Sequence, residues 1–432
     1  MREKFIFGLL FAMIAFCGCG QPVKDPNTLV VWHWMVDRHD TFQVLAEKYK
    51  NETGINVSFR LYAPSDIYSQ KVVAAAQARI LPDIYGILDK KSVMADFITG
   101  GFVADLTAEF KKGNEAWEKS LFPKALAGNV FEKGNSYGIK PGIYGVPMDV
   151  MNIQMLYNKK LLKKAGFEGP PEDFDEFLTM IDKFKRLGIP AIVSGWGELW
   201  MIDCFASNYA FNIMGEKKVM ATYEGKVPYT DGDWLKVFEL FDALAKRNGF
   251  MVGIVTKTNK YAEQDFALER AAFAFNGSWC VNVYHQMNPQ LEYGAMMPPP
   301  ISEKHPMKVW GGAGSSFVVN EASSNKEKAI QFLKWLSAKS QQVYISKETK
   351  NLPANRQALA QIPTILSEFA SAMDYTTHPS IWRLDEDALV KEKFAKGLQS
   401  LVIGEKTPQQ VAEEVQAIKA RRMQKKDKYL KK

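Results

Sequence analysis

The amino-terminal part of the chain alternates short apolar runs with amphipathic helical patterns. Residues 28–35 are almost entirely apolar, which is typical of a strand buried on both faces. Residues 55–59 alternate between apolar and polar and predict a second strand, and residues 82–87 predict a third. Between these strands, apolar side chains recur at helical spacing over 40–54 and 68–79. This β-α-β-α-β order predicts a doubly wound α/β lobe whose ligand lies at the carboxyl ends of the strands.

A further apolar and aromatic run, residues 145–158, lies about a third of the way along the chain. Gly145 and Pro147 interrupt whatever precedes it, because proline lacks the donor that a central strand needs. A helical pattern begins after Tyr157. We interpret the run as the strand that carries the chain from one lobe into another. Asp149 is then expected at the mouth of the interlobe cleft, where it hydrogen-bonds a ligand; the alternative is a core strand ending in an exposed Asp.

The residues that continue this run resemble a family signature. A Tyr-Gly-Val-Pro sequence ends at Pro147, a Tyr-Asn-Lys sequence leads to Gly166, and residues 170–177 read Pro-Pro-x-Asp-Phe-x-Glu-Phe. Together they resemble the extracellular solute-binding proteins of ABC importers (family 1), most closely the branch that binds sugars and oligosaccharides. Asp173 and Phe174 stand where the family usually has Thr and Trp. Both changes keep the local physics, because Asp is an equally good helix N-cap and Phe still fills an aromatic position.

The resemblance implies an α/β, two-lobed periplasmic-binding-protein fold (type II-like), in which each lobe is a sheet flanked by helices and hinge crossovers join the lobes. Lobe 1 is predicted over residues 28–145 plus 310–350. Lobe 2 is predicted over 150–305 with parts of 351–432. The length of 432 residues agrees with this, since it exceeds what a single compact core usually accommodates.

Five aromatic side chains are candidates for stacking on a flat ligand: Trp34, Tyr62, Trp196, Trp200 and Trp279. The first two follow predicted strands of lobe 1, and the next two lie in a Gly-rich loop where the family carries ligand-facing aromatics. Indole rings offer an apolar face and one donor, which suits the C–H faces of sugar rings. The alternative for each is a core position; for Trp200 it is suggested by helical spacing to Cys204.

Polar contacts are implied by the resemblance at four further residues. Residues 271–279 resemble a strand-turn of the family that presents Trp279, Asn276 and backbone amides, with Gly277 permitting a close approach. Gly311 and Gly312 lie in what looks like the strand returning to lobe 1, where such glycines let amides meet ligand hydroxyls. Arg356 follows the family's Leu-Pro-Ala segment and is expected to reach the cleft.

Two other functions are compatible with these residues. A secreted glycosidase needs two carboxylates around one bond, and Asp149 with Glu198 or Asp203 is a conceivable pair, although no hydrolase motif accompanies them. A binding protein for a cationic solute such as a polyamine needs aromatics together with several acidic side chains.

We expect His33 to be a core histidine and Asp83 to cap local structure.

The amino terminus reads as a targeting segment. Arg2 and Lys4 precede an apolar run that is too short to span a membrane. Residues 1–18 resemble a bacterial lipoprotein signal, with lipidation at Cys19 and an anchor linker over 19–27. This predicts an extracytoplasmic, membrane-anchored protein; the alternative is plain secretion.

Composition adds limits rather than a function. Hydrophobic residues make up 47% and charged residues 24%, an ordinary globular balance, and ten Trp suit a protein that holds flat ligands. The net charge of +7 owes much to a basic carboxyl-terminal tail, which we interpret as a solvated helix end and not as a nucleic-acid contact. Cys204 and Cys280 are expected as buried thiols, with a disulfide as the alternative. No cofactor is predicted, and the resemblance implies a monomeric binding protein whose partners are a sugar and the ABC permease subunits.

Overall fold

A computed structural model describes residues 27–88, 91–378, 382 and 385–430 of the chain. The predicted signal segment and Cys19 lie outside the described residues. Within the described residues, no helix contains a stretch long and apolar enough to cross a membrane.

The described chain contains the following strands: β1 Thr28–His33, β2 Asn56–Leu61, β3 Ile84–Gly86, β4 Val130–Phe131, β5 Gly142–Ile143, β6 Val146–Pro147, β7 Asp149–Asn158, β8 Ile192–Val193, β9 Phe273–Gly277, β10 Tyr293–Met296, β11 Val309–Ala313, β12 Ser316–Val319, β13 Leu352–Pro353 and β14 Thr376–Thr377.

Its α-helices are α1 His39–Thr53, α2 Ser65–Gln77, α3 Lys91–Thr99, α4 Thr107–Ser120, α5 Pro123–Ala127, α6 Lys159–Lys164, α7 Phe174–Arg186, α8 Leu199–Tyr223, α9 Gly232–Lys246, α10 Asn259–Ala267, α11 Cys280–Met287, α12 Lys326–Leu336, α13 Lys339–Thr349, α14 Thr364–Ser371, α15 Ala388–Val402 and α16 Pro408–Leu430. Short 3₁₀ helices span Val36–Arg38, Ile254–Thr256, Arg356–Gln361 and Met373–Tyr375.

The first sheet has the strand order β2-β1-β3-β12-β6. Strand β1 runs parallel to both β2 and β3, whereas β12 pairs antiparallel with β3 and β6. The three strands predicted from the amino-terminal apolar runs are therefore present and adjacent. Their carboxyl ends lie at one edge of the sheet, where the doubly wound order places a ligand.

The second sheet is built around β7, in the order β14-β11-β7-β9-β8, with β10 and β13 also paired to β7. Strand β9 runs antiparallel to β7 over residues 273–277, and β11 runs antiparallel to it over 311–313. Burial explains the composition of β7, because nearly all of its side chains lie inside the protein. The long apolar run around residue 150 is thus the central strand of the second lobe.

Three connections run between the sheets in the described part of the chain; the third leads from β12 through α12 and α13 to β13, which pairs with β7, and the other two are neighbours. The chain leaves the first sheet at β6 and enters the second at β7, so the outward crossing is Met148. It returns from β11 to β12 through Gly314 and Ser315. The backbone N–H of Met148 donates to the carbonyl of Ser315 at 2.8 Å, which holds the two crossings side by side. The predicted crossover strands are confirmed, but residues 310–313 belong to the second sheet and not to the first.

Helix α7 shows how the family-like segment folds. The side chain of Asp173 accepts from the backbone N–H of Glu176 at 2.8 Å, which caps the helix as expected. The carboxylate of Glu176 reaches back to the N–H of Glu172 at 2.8 Å, one residue earlier than a standard capping box. Behind the cap, an apolar face packs into the second lobe: Phe174, Phe177, Met180, Ile181 and Phe184.

The carboxyl-terminal helices α15 and α16 complete the second lobe by packing on α8 and α9. Although the tail is strongly basic, Lys419 lies inside the protein, 4% exposed. Its Nζ donates to both carboxylate oxygens of Glu386, at 2.7 and 2.8 Å, and to the carbonyl of Tyr223 at 2.7 Å. The start of the tail is therefore fastened to the lobe and is not simply a solvated helix end.

The predictions for His33 and Asp83 are confirmed, since both side chains are fully buried. His33 Nε2 lies 3.1 Å from Nδ1 of His39, and burial lowers the pKa of His33 to about 4, so its ring is neutral near pH 7. The carboxylate of Asp83 accepts from the backbone N–H of Val30 at 2.9 Å and from the hydroxyl of Ser323 at 2.6 Å. Cys204 and Cys280 are free, buried thiols, as expected.

Candidate binding cleft

A cavity of about 370 Å³ lies where the two lobes and both crossings meet. Lobe 1 contributes residues from the carboxyl end of β1, the segment after β3 and the start of α3. Lobe 2 contributes the start of β7 and the turn after β9. The lining includes Trp34, Arg38, Ile87, Leu88, Lys91, Met94, Asn129, Asp149, Val150, Met151, Ser278, Trp279, Gly314, Ser315, Ser316, Asn351 and His378.

Two partly buried indoles line the cavity, one from each lobe, and each lies against a glycine that ends a strand. Gly86 is the last residue of β3, and a Cβ on it would stand 2.2 Å from the ring of Trp34. Gly277 is the last residue of β9, and a Cβ there would stand 2.0 Å from the ring of Trp279. The close approach predicted at Gly277 is therefore made by the indole two residues further on. These glycines allow the rings to lie flat on the backbone beside the cavity.

Asp149 lines the cavity, and each of its two carboxylate oxygens already has a hydrogen-bond partner within the protein. The carboxylate is 5% exposed, with one oxygen bonded to Nη1 of Arg38 and the other accepting from the N–H of Ser315 at 2.6 Å. A Cβ on Gly314 would collide with the same carboxylate. Asp149 therefore joins lobe 1 to the return crossing. A carboxylate with one partner on each oxygen can accept further hydrogen bonds, so the expectation that Asp149 also serves a ligand stays a prediction.

The two tryptophans of the Gly-rich loop have different surroundings. Trp196 is fully buried among Phe205, Phe241 and Phe250, with its ring centroid 4.9–5.7 Å from theirs. It is a core residue, which corrects the prediction that it stacks on a ligand. Trp200 is 42% exposed, and its ring centroid lies 6.1 Å from that of Trp279. It extends the aromatic surface beside the cavity without lining it.

Three polar candidates are used by the fold instead. Asn276 is buried, donates to Glu263 Oε1 at 3.1 Å and accepts from the N–H of Gly277 at 2.8 Å, so it shapes the turn that presents Trp279. Gly311 and Gly312 lie in β11, paired with β7, and neither lines the cavity. A Cβ on Gly311 would stand 2.4 Å from the carbonyl of Met151, and Gly312 has φ +109°. Strand packing explains both glycines.

Tyr62 and Arg356 lie away from the main cavity. The Tyr62 ring meets Trp32 edge-on at 5.2 Å, and Nζ of Lys71 lies 4.4 Å from its centroid. Arg356 lines a second cavity of about 730 Å³, which shares Lys91 with the first. The structure therefore brings Trp34 and Trp279 to one site, places Trp200 beside it, and locates Arg356 in a neighbouring one.

The charges of the main cavity limit its chemistry. Among the described lining residues Asp149 is the one carboxylate, and it is paired with Arg38. Glu198 lies elsewhere, where it accepts from the N–H of Asn259 at 2.7 Å and from the indole N–H of Trp200 at 3.0 Å. Asp203 also lies outside this lining, and burial raises its pKa to about 6. Within the described lining, two carboxylates are therefore not placed around one bond.

The family model for bacterial extracellular solute-binding proteins matches residues 44–372, which is well over half of the chain. The chain belongs to this family. A putative binding protein of Brucella abortus is 23% identical over 73% of each chain. Among solved structures, a chitin oligosaccharide binding protein is 21% identical with a TM-score of 0.70, covering 90% of this chain and 98% of the other. The raffinose complex of the solute-binding protein RafE is 14% identical with a TM-score of 0.71 and the same coverage.

Several residues of the solute-binding protein's cleft were missed by sequence reasoning. Arg38 and Lys91 sit in segments without a recognisable motif, and their positions depend on which loops the fold brings together, whereas Met151 lies in the singled-out run 145–158 but was given no role. Ser315 and Ser316 carried a usable signal, because they directly follow the glycine of the predicted return crossing. The hydroxyl of Ser316 accepts from the side-chain amide of Asn129 at 3.0 Å, so it too is held in place.

Replacing tryptophan with phenylalanine distinguishes the structural roles of Trp196 and Trp200. In the solute-binding protein, Trp196→Phe is expected to lower the free energy of unfolding by about 1–2 kcal/mol, because it leaves a gap in a packed core. Ligand affinity should not change. Urea unfolding and calorimetric titration measure the two quantities. Trp200→Phe is the matched control and should alter stability by no more than about 0.5 kcal/mol. A loss of affinity with unchanged stability in Trp196→Phe would contradict the core assignment.

Proposed function

We propose that this protein captures a sugar or oligosaccharide in the cleft and delivers it intact to the permease of an ABC transporter. The observation that carries the proposal is the pair of indoles, Trp34 from lobe 1 and Trp279 from lobe 2, lining one cavity. Flat aromatic faces match the apolar C–H faces of sugar rings. The named ligands of two structural neighbours, chitin oligosaccharide and raffinose, support the same class.

The hinge supplies the mechanism of capture. A ligand between the indoles touches both lobes only when they approach, so it binds the closed state more tightly and shifts the population toward it. In this mechanism no covalent bond of the ligand is made or broken. We further propose that the protein acts as a monomer outside the cytoplasm, anchored through lipidated Cys19, and that its closed form docks on the permease subunits.

The cleft argues against a polyamine as the ligand. Cationic solutes are held by several acidic side chains, and the single described carboxylate of the main cavity is neutralised by Arg38. A polyhydroxylated neutral ligand is served by the Ser, Asn and backbone groups that line the same walls.

Thermal unfolding in the presence of sugars, polyamines and inorganic phosphate tests the proposal. A sugar or oligosaccharide is expected to raise the melting temperature, because a ligand of the native state stabilises it by mass action. Polyamines and phosphate should give no shift. Chromatography after prolonged incubation should recover the oligosaccharide intact. A shift with polyamines alone, or loss of intact oligosaccharide, would contradict the proposal.

A further inference from the structure

The second cavity continues the cleft and has a different chemical character. It adjoins the first at Lys91 and is lined mainly by residues 118–137, with Arg356 and Trp382 completing its wall. At about 730 Å³ it is larger than the first cavity, which has about 370 Å³.

Positive charge predominates in this second cavity. Its described lining contains the cations Lys91, Lys119, Lys133 and Arg356. The two acidic side chains are Glu118 and Glu132, and Glu118 is already paired with Lys111 at 2.7 Å. No described residue bonds to the side chains of Lys133 and Arg356. The cavity therefore has an excess of cations that its own carboxylates do not neutralise.

Arg356 is held on a rigid backbone while its side chain stays available. It begins a 3₁₀ helix, and Asn355 caps that helix by accepting from the N–H of Gln357 at 3.0 Å. Two residues before Arg356, Ala354 donates its backbone N–H to the side chain of Gln342 at 2.8 Å, and its carbonyl accepts from the N–H of Phe122 at 3.0 Å. A guanidinium presented in this way is suited to a carboxylate, which it binds through two parallel hydrogen bonds.

Lys91 is positioned at the junction of the two cavities. Its Nζ donates to the carbonyl of Ala127 at 3.2 Å and lies 5.1 Å from the ring centroid of Phe131. Burial lowers the pKa of Lys91, with Glu132 opposing the shift. An anion beside the ammonium group would offset the cost of burying its charge. Tyr137, 41% exposed, adds an aromatic face to the same cavity.

We infer that the ligand is an acidic oligosaccharide, with a uronic acid carboxylate held in the second cavity by Lys91 and Arg356. Such a unit has an apolar C–H face, which suits an aromatic side chain, and a charged carboxylate, which suits the neighbouring cations. The main cavity then takes a neighbouring sugar ring between the indoles. This inference rests on the proposed function and adds the chemical class of the sugar.

Matched sugar pairs test the inference by calorimetric titration of the full chain. The pairs are trimers of glucose, mannose and galactose against the corresponding uronic acid trimers and their methyl esters. The tightest ligand is expected to be an acidic trimer, about tenfold tighter than its neutral counterpart and its methyl ester, since a charge-assisted hydrogen bond is lost in both. Raising NaCl from about 50 mM to about 500 mM should weaken only the acidic trimer.

Two cavity variants and a control locate the effect. Arg356→Gln is expected to weaken the acidic trimer about tenfold while changing the neutral trimer less than about twofold, and Lys91→Gln should weaken the acidic trimer more than the neutral one. Arg186→Gln, on the exposed last turn of α7, should change neither. Neutral trimers that bind as tightly as acidic ones, or equal losses for both classes in the cavity variants, would overturn the inference and leave sugar binding intact. If no trimer of any class binds, the proposed function itself fails and the inference with it.

Discussion

Replacing Asp149 with alanine is expected to lower the free energy of unfolding by about 3 kcal/mol, because it breaks a buried ion pair and leaves Arg38 with the more exposed Asp37, at 3.4 Å, as its remaining acidic partner. The side chains of Arg38 and Asp149 are only 10% and 7% exposed, so water does not replace the lost contact. The N–H of Ser315 loses its acceptor in the same variant. Urea unfolding at neutral pH measures the change.

Two controls distinguish this effect from a general loss of charge. Replacing both partners with apolar residues, Arg38→Met together with Asp149→Leu, should recover most of the stability, because no charge is then left buried. Glu392→Ala removes an exposed pair with Lys396 and should cost no more than about 0.5 kcal/mol. A loss below about 1 kcal/mol for Asp149→Ala would show that the ion pair between Arg38 and Asp149 is not buried in solution.

Replacing Trp279 with alanine is expected to weaken the tightest sugar ligand roughly thirtyfold, which corresponds to about 2 kcal/mol for a buried aromatic anchor. Stability should change little by comparison, since the indole is partly exposed to the cavity. Calorimetric titration of the variant against the wild-type chain measures the loss. Trp34→Ala tests the opposing face and should act in the same direction.

A second substitution moves the same indole without removing it. Gly277→Ala places a methyl group where the Trp279 ring lies, so the ring must shift, and affinity should fall comparably. Trp200→Ala is the control beside the cavity and should cost no more than about threefold, since this ring does not line it. If Trp279→Ala and Trp34→Ala both leave the affinity unchanged, the cavity between the lobes is not the sugar site.

The fold was largely predictable because its strands are buried on both faces. Such strands appear in the sequence as apolar runs, and this is how β1, β3 and β7 were located. The outward crossing was predicted as the whole run 145–158, from the proline at its start and the helical pattern after Tyr157, and the structure narrows it to Met148. The return crossing was placed a few residues early, because β11 contains glycines and resembles a loop more than a strand.

The site was less predictable, because contacts distant in sequence decide it. The ion pair of Asp149 was not predicted, since its partner Arg38 lies 111 residues away. Trp196 and Trp200 were assigned to one Gly-rich loop, but Trp200 lies in the first turn of α8, and only the packing of Phe205 and Phe241 shows which of the two is buried. The strand-turn at Gly277 was predicted from its resemblance to the family, and the structure shows that the ring of Trp279, two residues further along, occupies the space that the glycine leaves.

The paired crossings have a mechanical consequence. Met148 and the dipeptide Gly314–Ser315 are short connections joined by one hydrogen bond, and together they define a line about which one lobe can rotate. Rotation about that line bends few backbone angles, whereas twisting across it strains both connections at once. Spectroscopic labels straddling the rim far from this axis would therefore report large distance changes on sugar uptake, and labels beside it would report almost none.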